Sequence, residues 1–130
     1  MAAAGRLVAL AVVGNEADIV EAFVRHTVRF VDELAVVVHR PVDGTGEILR
    51  SLHAEGLPLT LHPPSHAGFR QAGETEPIAR QLLASGAAGH VLLLDADEFL
   101  KAPDTGYLRR ALPAIPAGKF GAWRWQGYVP

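Results

Sequence analysis

The sequence predicts an α/β domain with a mostly parallel sheet, and three observations carry that expectation. Four short apolar runs recur along the chain, each followed by a segment with helical spacing. The first and longest of them is apolar at every position rather than alternating, the pattern of a strand covered on both faces. The length, 130 residues with 49% apolar and 20% charged side chains, suits one domain with its own core. Repeated strand–helix alternation implies right-handed crossovers and a three-layer α/β/α arrangement, with residues 1–130 forming a single domain.

Leu7–Val13 reads as the first strand. Asn15 then stands as an N-cap, with Asp18 suiting the positive start of a helix. Ile19, Val20, Phe23, Val24, Thr27, Phe30 and Val31 recur at helical spacing, while Glu21 and Arg25 fall on the other face. Leu34–Val38 is the second strand. Asp43-Gly44-Thr45-Gly46 is a turn, and Ile48, Leu49 and Leu52 mark a second helix closing near Gly56. Leu57–Leu61 is a third strand, followed by a loop from His62 to Gly73. Thr75-Glu76-Pro77 resembles a helix start with Pro at the first helical position, and Gly86 suits the stop. Val91–Leu94 reads as a fourth buried strand and runs into Asp95-Ala96-Asp97-Glu98. A short helix follows Pro103 and Asp104, through Leu108 and Leu112. Lys119–Val129 reads as a strand rich in aromatics.

Charge and composition exclude several classes of function. With 14 acidic against 12 basic side chains and no Lys/Arg run, neither a nucleic-acid groove nor an anionic membrane is an expected partner. The absence of cysteine removes disulfides, thiolate metal sites and a cysteine nucleophile. Leu7–Val13 is far shorter than the roughly 20 residues of a membrane span. It runs into Asn15, Glu16 and Asp18 with no small-residue cleavage site, so a soluble cytoplasmic protein is expected. Arg outnumbers Lys ten to two, a bias of GC-rich bacterial genomes.

The chemistry centres on Asp95 and Asp97. In a parallel α/β sheet, ligands bind beyond the carboxyl ends of the strands, and this pair stands at such an end. If the segment is extended, residues i and i+2 project to one side, and two carboxylates facing one point need a cation between them. A hard divalent ion, Mg²⁺ or Mn²⁺, suits that role and keeps positions open for phosphate oxygens. Six Asp in the chain make about 0.3 Asp-x-Asp matches expected by chance, so the strand-end position gives the motif its weight. The plain alternative is a solvated acidic turn.

Asn15-Glu16 after the first strand, Asp43-Gly44-Thr45 after the second and Asp95-Ala96-Asp97-Glu98-Phe99 after the fourth resemble the nucleotide-binding half of family 2 glycosyltransferases. The likeness is to the bacterial subgroup with an N-E, D-G-T, D-x-D-E-F pattern, and it covers residues 6 to 101. It implies a GT-A fold and metal-dependent inverting transfer of a sugar from a nucleotide-diphosphate donor, with UDP the expected carrier. The acceptor, whether glycan, lipid or small molecule, is left open. By the resemblance, Asp97 is the principal metal ligand, with Mn²⁺ or Mg²⁺ as the cofactor. Asp95 contacts the ribose or the metal, Glu98 supports the site or reaches toward the sugar, and Asn15 and Glu16 line the nucleotide pocket. Asp43 and Thr45 hold the second strand–helix turn.

Two departures from the family pattern matter. Where the family carries an acidic residue and Asn to read the base, this chain has Val38 and His39, then Arg40 and Pro41, which makes His39 and Arg40 the expected nucleotide contacts. Inverting transfer needs a carboxylate base on the face opposite the leaving group. No candidate for it precedes Pro130, so the base is expected beyond that point and the chain is expected to be truncated on its acceptor side.

Other features have plainer readings. His62 and His66, with Pro63 and Pro64 between them, read as loop histidines ahead of a zinc pair. Arg70 and Gln71 read as exposed loop residues or diphosphate contacts. Trp123 and Trp125 serve packing or sugar stacking. A haloacid-dehalogenase-like phosphotransferase would place the acidic pair on the first strand. A dinucleotide fold would need a third glycine where Leu49 stands. The alternative from another class is a degenerate nucleotide-sugar-binding domain acting as a subunit or scaffold.

Overall fold

The computed structural model describes residues 6–64 and 71–112. Its elements in chain order are β1 (Leu7–Val13), α1 (Val20–Thr27), β2 (Glu33–Val38), α2 (Thr45–Ala54), β3 (Leu59–His62), α3 (Gln71–Ser85), β4 (His90–Asp95) and α4 (Tyr107–Ala111). The four strands form one parallel sheet in the order β3-β2-β1-β4. This is the expected α/β architecture. The aromatic segment Lys119–Val129, with Trp123 and Trp125, and the residues His66 and Arg70 lie outside the described residues.

Strand residues alternate between two apolar clusters. Leu7, Ala9, Ala11 and Val13 of β1 join Leu34, Val36, Leu59 and Leu94 with Val20, Phe23 and Val24 of α1, Leu49 and Leu52 of α2, and Leu108 and Leu112 at α4. On the opposite face Val8, Leu10 and Ala35 meet Ala88 and the α3 residues Ile78, Ala79 and Leu82. A strand buried on both faces has no polar side to show, which is why β1 is apolar at all seven positions. Each large side chain withdrawn from water in this way contributes about 1.5–3 kcal/mol. Among the described residues no helix is long and apolar enough to cross a membrane.

Four local expectations are corrected. Helix α1 starts at Val20 with Ile19 at its N-cap position and no side-chain cap, so Asn15 does not cap it. The Glu16 carbonyl instead accepts the amides of Ile19 and Val20 in a preceding turn. The same helix stops at Thr27, and Phe30 and Val31 are buried from the turn that follows. β3 begins at Leu59 because Pro58 has no N–H for the ladder; its carbonyl accepts the Leu34 amide. Helix α3 begins at Gln71 and runs through Pro77, so this proline lies inside the helix and Gln71 is helical. The residues ahead of Pro77 are mostly good helix formers, and they extend the helix upstream of the proline. Gly86 does take the left-handed conformation, φ 80°, that a helix stop favours.

Candidate functional site

The sheet order sets the place of the site. Chain connections run from β1 outward to β2 and β3, then return past them to β4, so the order reverses between β1 and β4. Open α/β sheets bind ligands in the crevice outside the strand ends at this reversal. Val12 is level with Asp95 of β4, and Val13 with Val38 of β2. The segments leaving β1, β2 and β4, which carry Asn15-Glu16, His39-Arg40 and Ala96-Asp97, therefore emerge along one edge.

On one side of the crevice, the loops after β1 and β2 are bound to each other. The Asn15 Oδ1 accepts the Val42 amide at 2.8 Å. The Glu16 amide donates to the Thr45 Oγ1 at 2.9 Å, and the Ala17 amide to the Asp43 Oδ2 at 3.2 Å. Thr45, fully buried, gives its hydroxyl proton to the Asp43 Oδ1 at 2.5 Å and its amide to the same oxygen at 3.0 Å. These bonds from the Thr45 hydroxyl and amide hold the Asp43 carboxyl below the ordinary aspartate value. The two residues thus brace both loops, a wider role than holding one turn. His39 leaves β2 with its amide donating to the Val13 carbonyl at 2.8 Å. Arg40 is exposed and sits at φ 46°, uncommon for a residue with a side chain.

Across the crevice the acidic turn is built differently. Asp95 is the last residue of β4, and Ala96-Asp97 turn rather than continue extended, so the i, i+2 geometry expected of the pair does not apply. The turn is closed twice: the Glu98 amide donates to the Asp95 carbonyl at 2.9 Å, and the Asp95 amide donates to the Glu98 Oε1 at 2.8 Å. Glu98 is thereby a turn-closing group. Ala96 is buried in the core while Asp95 and Asp97 are exposed.

The electrostatics join the two sides. Burial pushes the Glu16 carboxyl above the ordinary glutamate value, and the negative charges of Asp97, Asp18 and Asp43 push it further. Glu16 and Asp97 come from opposite sides of the reversal, so the fold gathers carboxylates that repel across the crevice. Among the described residues no three His, Asp or Glu side chains form a cation cage. The exposed carboxylates of the turn, Asp95 and Asp97, are oxygen donors of the kind Mg²⁺ or Mn²⁺ takes, since such ions bind one or two carboxylates and fill the rest with water and phosphate oxygens.

His26 is a residue that sequence reasoning missed. It lies in the last turn of α1, and its Nε2 meets the Leu100 carbonyl at 2.6 Å, just beyond the acidic turn. A cleft between α1 and α2, lined by Glu21, Glu47, Ile48, Ser51, Leu52 and Glu55, lies on the flank of the domain. Its carboxylates are paired with Arg25 and Arg50.

No family model matches the chain, and no curated protein sequence matches it. Among solved structures it is similar to the mannosyltransferase PcManGT from Pyrobaculum calidifontis, in complex with GDP-Man and Mn²⁺, with a TM-score of 0.61. The two share a fold. The likeness, at 22% identity, covers 85% of this chain and 33% of the mannosyltransferase, so the chain spans about a third of that protein's length.

Proposed function

We propose that this chain is the donor-binding region of a divalent-cation-dependent glycosyltransferase of the family 2 type, moving a sugar from a nucleotide-diphosphate carrier to an acceptor with inversion. One observation carries the reading: the acidic turn Asp95–Glu98 stands at the reversal of strand order, on the edge from which the Asn15-Glu16 and His39-Arg40 segments also emerge. The shared fold supports it, since the similar protein is a mannosyltransferase solved with GDP-Man and Mn²⁺.

In this reading Asp97 and Asp95 hold Mn²⁺ or Mg²⁺, and Glu16, His39 and Arg40 face the nucleotide. The bound ion supplies positive charge to a diphosphate leaving group. Arg40 is a second cation at the same edge, and Glu98 keeps Asp95 in place through its amide. Asn15, tied to Val42, shapes the pocket by holding the β2–α2 loop. UDP is the carrier that the sequence resemblance favours, and GDP the one that accompanies the structural neighbour, so both belong in the test. A cytoplasmic setting belongs to the same reading.

The experiment is a thermal-shift titration of the chain with UDP, GDP and dTDP, each with and without Mn²⁺, beside the variant Asp97→Ala. A ligand at a hundred times its dissociation constant stabilises by about 2.7 kcal/mol, a shift of several degrees for a domain of this size. The expected result is a Mn²⁺-dependent shift with one nucleotide that vanishes in Asp97→Ala. A cooperative melt that no nucleotide moves would overturn the donor-site reading.

A further inference from the structure

We propose that His26 is a positioning residue for the acidic turn: by donating its Nε2–H to the Leu100 carbonyl, it sets the direction in which Asp97 meets a divalent cation. This inference rests on the donor-site reading above.

The geometry starts from what a carbonyl is able to do. The Leu100 oxygen only accepts, so the His26 Nε2 at 2.6 Å must carry a proton and donate it. The imidazole sits beside the Phe99 ring, centroids 5.4 Å apart at 54°, and beside Phe30 at 5.1 Å. Phe99 in turn meets Phe23, the fully buried phenylalanine of α1, edge to face at 6.2 Å and 87°. The end of α1 therefore grips the two residues that follow Glu98.

Two facts decide that the hydrogen bond matters beyond the packing. Phe99 is 44% exposed, while Ala96 inside the turn is buried and Leu100 packs partly buried against the core, so apolar packing places the segment and the hydrogen bond adds direction to it. The aromatic contacts of Phe99 are also non-directional compared with a short N–H···O bond. Meanwhile the turn is one closed unit, with Asp95 and Glu98 bonded to each other twice. Beyond the burial of Ala96, such a unit is held on both of its sides. On the upstream side Asp95 is in register with Val12 in the sheet ladder. On the downstream side Leu100 is held by His26. Asp97 lies between them, and releasing the downstream point loosens its aim about the end of β4 and the buried Ala96. Supports of this kind, one step removed from a metal ligand, orient the ligand rather than touch the ion.

The test uses the whole chain with three proteins: wild type, His26→Leu, which keeps an apolar bulk but loses the donor, and His26→Gln, whose amide N–H reaches a similar distance. Free Mn²⁺ is followed by electron paramagnetic resonance in the presence of UDP or GDP, and amide hydrogen exchange is read at Asp95 and Glu98. We expect His26→Leu to bind Mn²⁺ about tenfold to a hundredfold more weakly, as loss of an outer support does at metal sites. Exchange at the two turn amides should speed up, and His26→Gln should recover most of both effects. Equal Mn²⁺ affinity in wild type and a folded His26→Leu overturns the proposal. So does a loss that Gln fails to recover, because the donor is then not the cause. Failure of the wild type to bind Mn²⁺ overturns the donor-site reading itself. In that event the exchange data decide the tether alone: unchanged protection in His26→Leu removes it, and faster exchange retains it.

Discussion

The two sides of the crevice are held in opposite ways. After β1 and β2, two loops brace each other through Asn15–Val42, Glu16–Thr45 and Ala17–Asp43, so each loop is the support of its neighbour. After β4, the acidic turn closes on itself through Asp95 and Glu98 and is anchored from behind by α1. A cross-braced wall keeps its shape without a ligand. A self-closed turn keeps its internal shape, and since Asp95 and Asp97 are exposed on either side of the buried Ala96, their direction loosens if the anchor behind the turn is lost. The side proposed to receive the cation is the one whose aim depends on a distant helix.

Breaking the anchor of the turn at its root has the largest expected effect. Phe23 is fully buried and bears the Phe99 ring edge-on, so Phe23→Ala is expected to cost about 3–5 kcal/mol in chemical denaturation. Cutting the brace comes next. Thr45→Val keeps the volume and removes the buried hydroxyl that serves Glu16 and Asp43 together, and leaves the Glu16 amide only the Gly14 carbonyl at 3.1 Å. The expected loss is about 1–3 kcal/mol.

Acid titration sharpens the comparison further. The Asp43 carboxyl is held below its ordinary 3.8 by the Thr45 hydroxyl and amide. The folded chain then binds its proton more weakly than the unfolded chain, so this contribution to stability is full above pH 3.8 and is lost as pH falls through the lowered folded value. Asp43→Asn should flatten the acid limb of stability against pH in that window, read by urea unfolding at a series of pH values.

The smallest change in stability is expected across the crevice, and its sign is reversed. Asp97 is exposed and repels Glu16, so Asp97→Ala in metal-free buffer should leave the melting temperature unchanged or slightly raised. The Glu16 carboxyl, followed by NMR, should titrate closer to 4.5 in this variant, with only its burial and the charges of Asp18 and Asp43 still raising it. A clear destabilisation would mean that Asp97 serves the fold rather than a ligand.

Much of the fold was legible from residue order. Uniformly apolar Leu7–Val13 announced a strand covered on both faces, and Gly86 announced a helix end that the structure closes in the left-handed conformation. The acidic motif at the end of β4 was legible too, because four apolar residues lead into it. Helix limits were less so. Pro77 reads as a first helical residue by local preference, yet the helix continues upstream of it, and Asn15 reads as a cap although its side chain is spent on another loop.

What the sequence determined by itself is the set of strands and the edge at which their polar ends emerge, because apolar runs and period are written in side-chain type; the burial expected of β4 was not met, since Leu93 is 57% exposed. What only the tertiary structure decided is which side chains hold that edge in shape. Asn15 is bound to a backbone amide 27 residues away, and His26 to a backbone carbonyl 74 residues away. A backbone N–H or C=O looks the same at every residue, so no local pattern marks the one that a distant side chain will find.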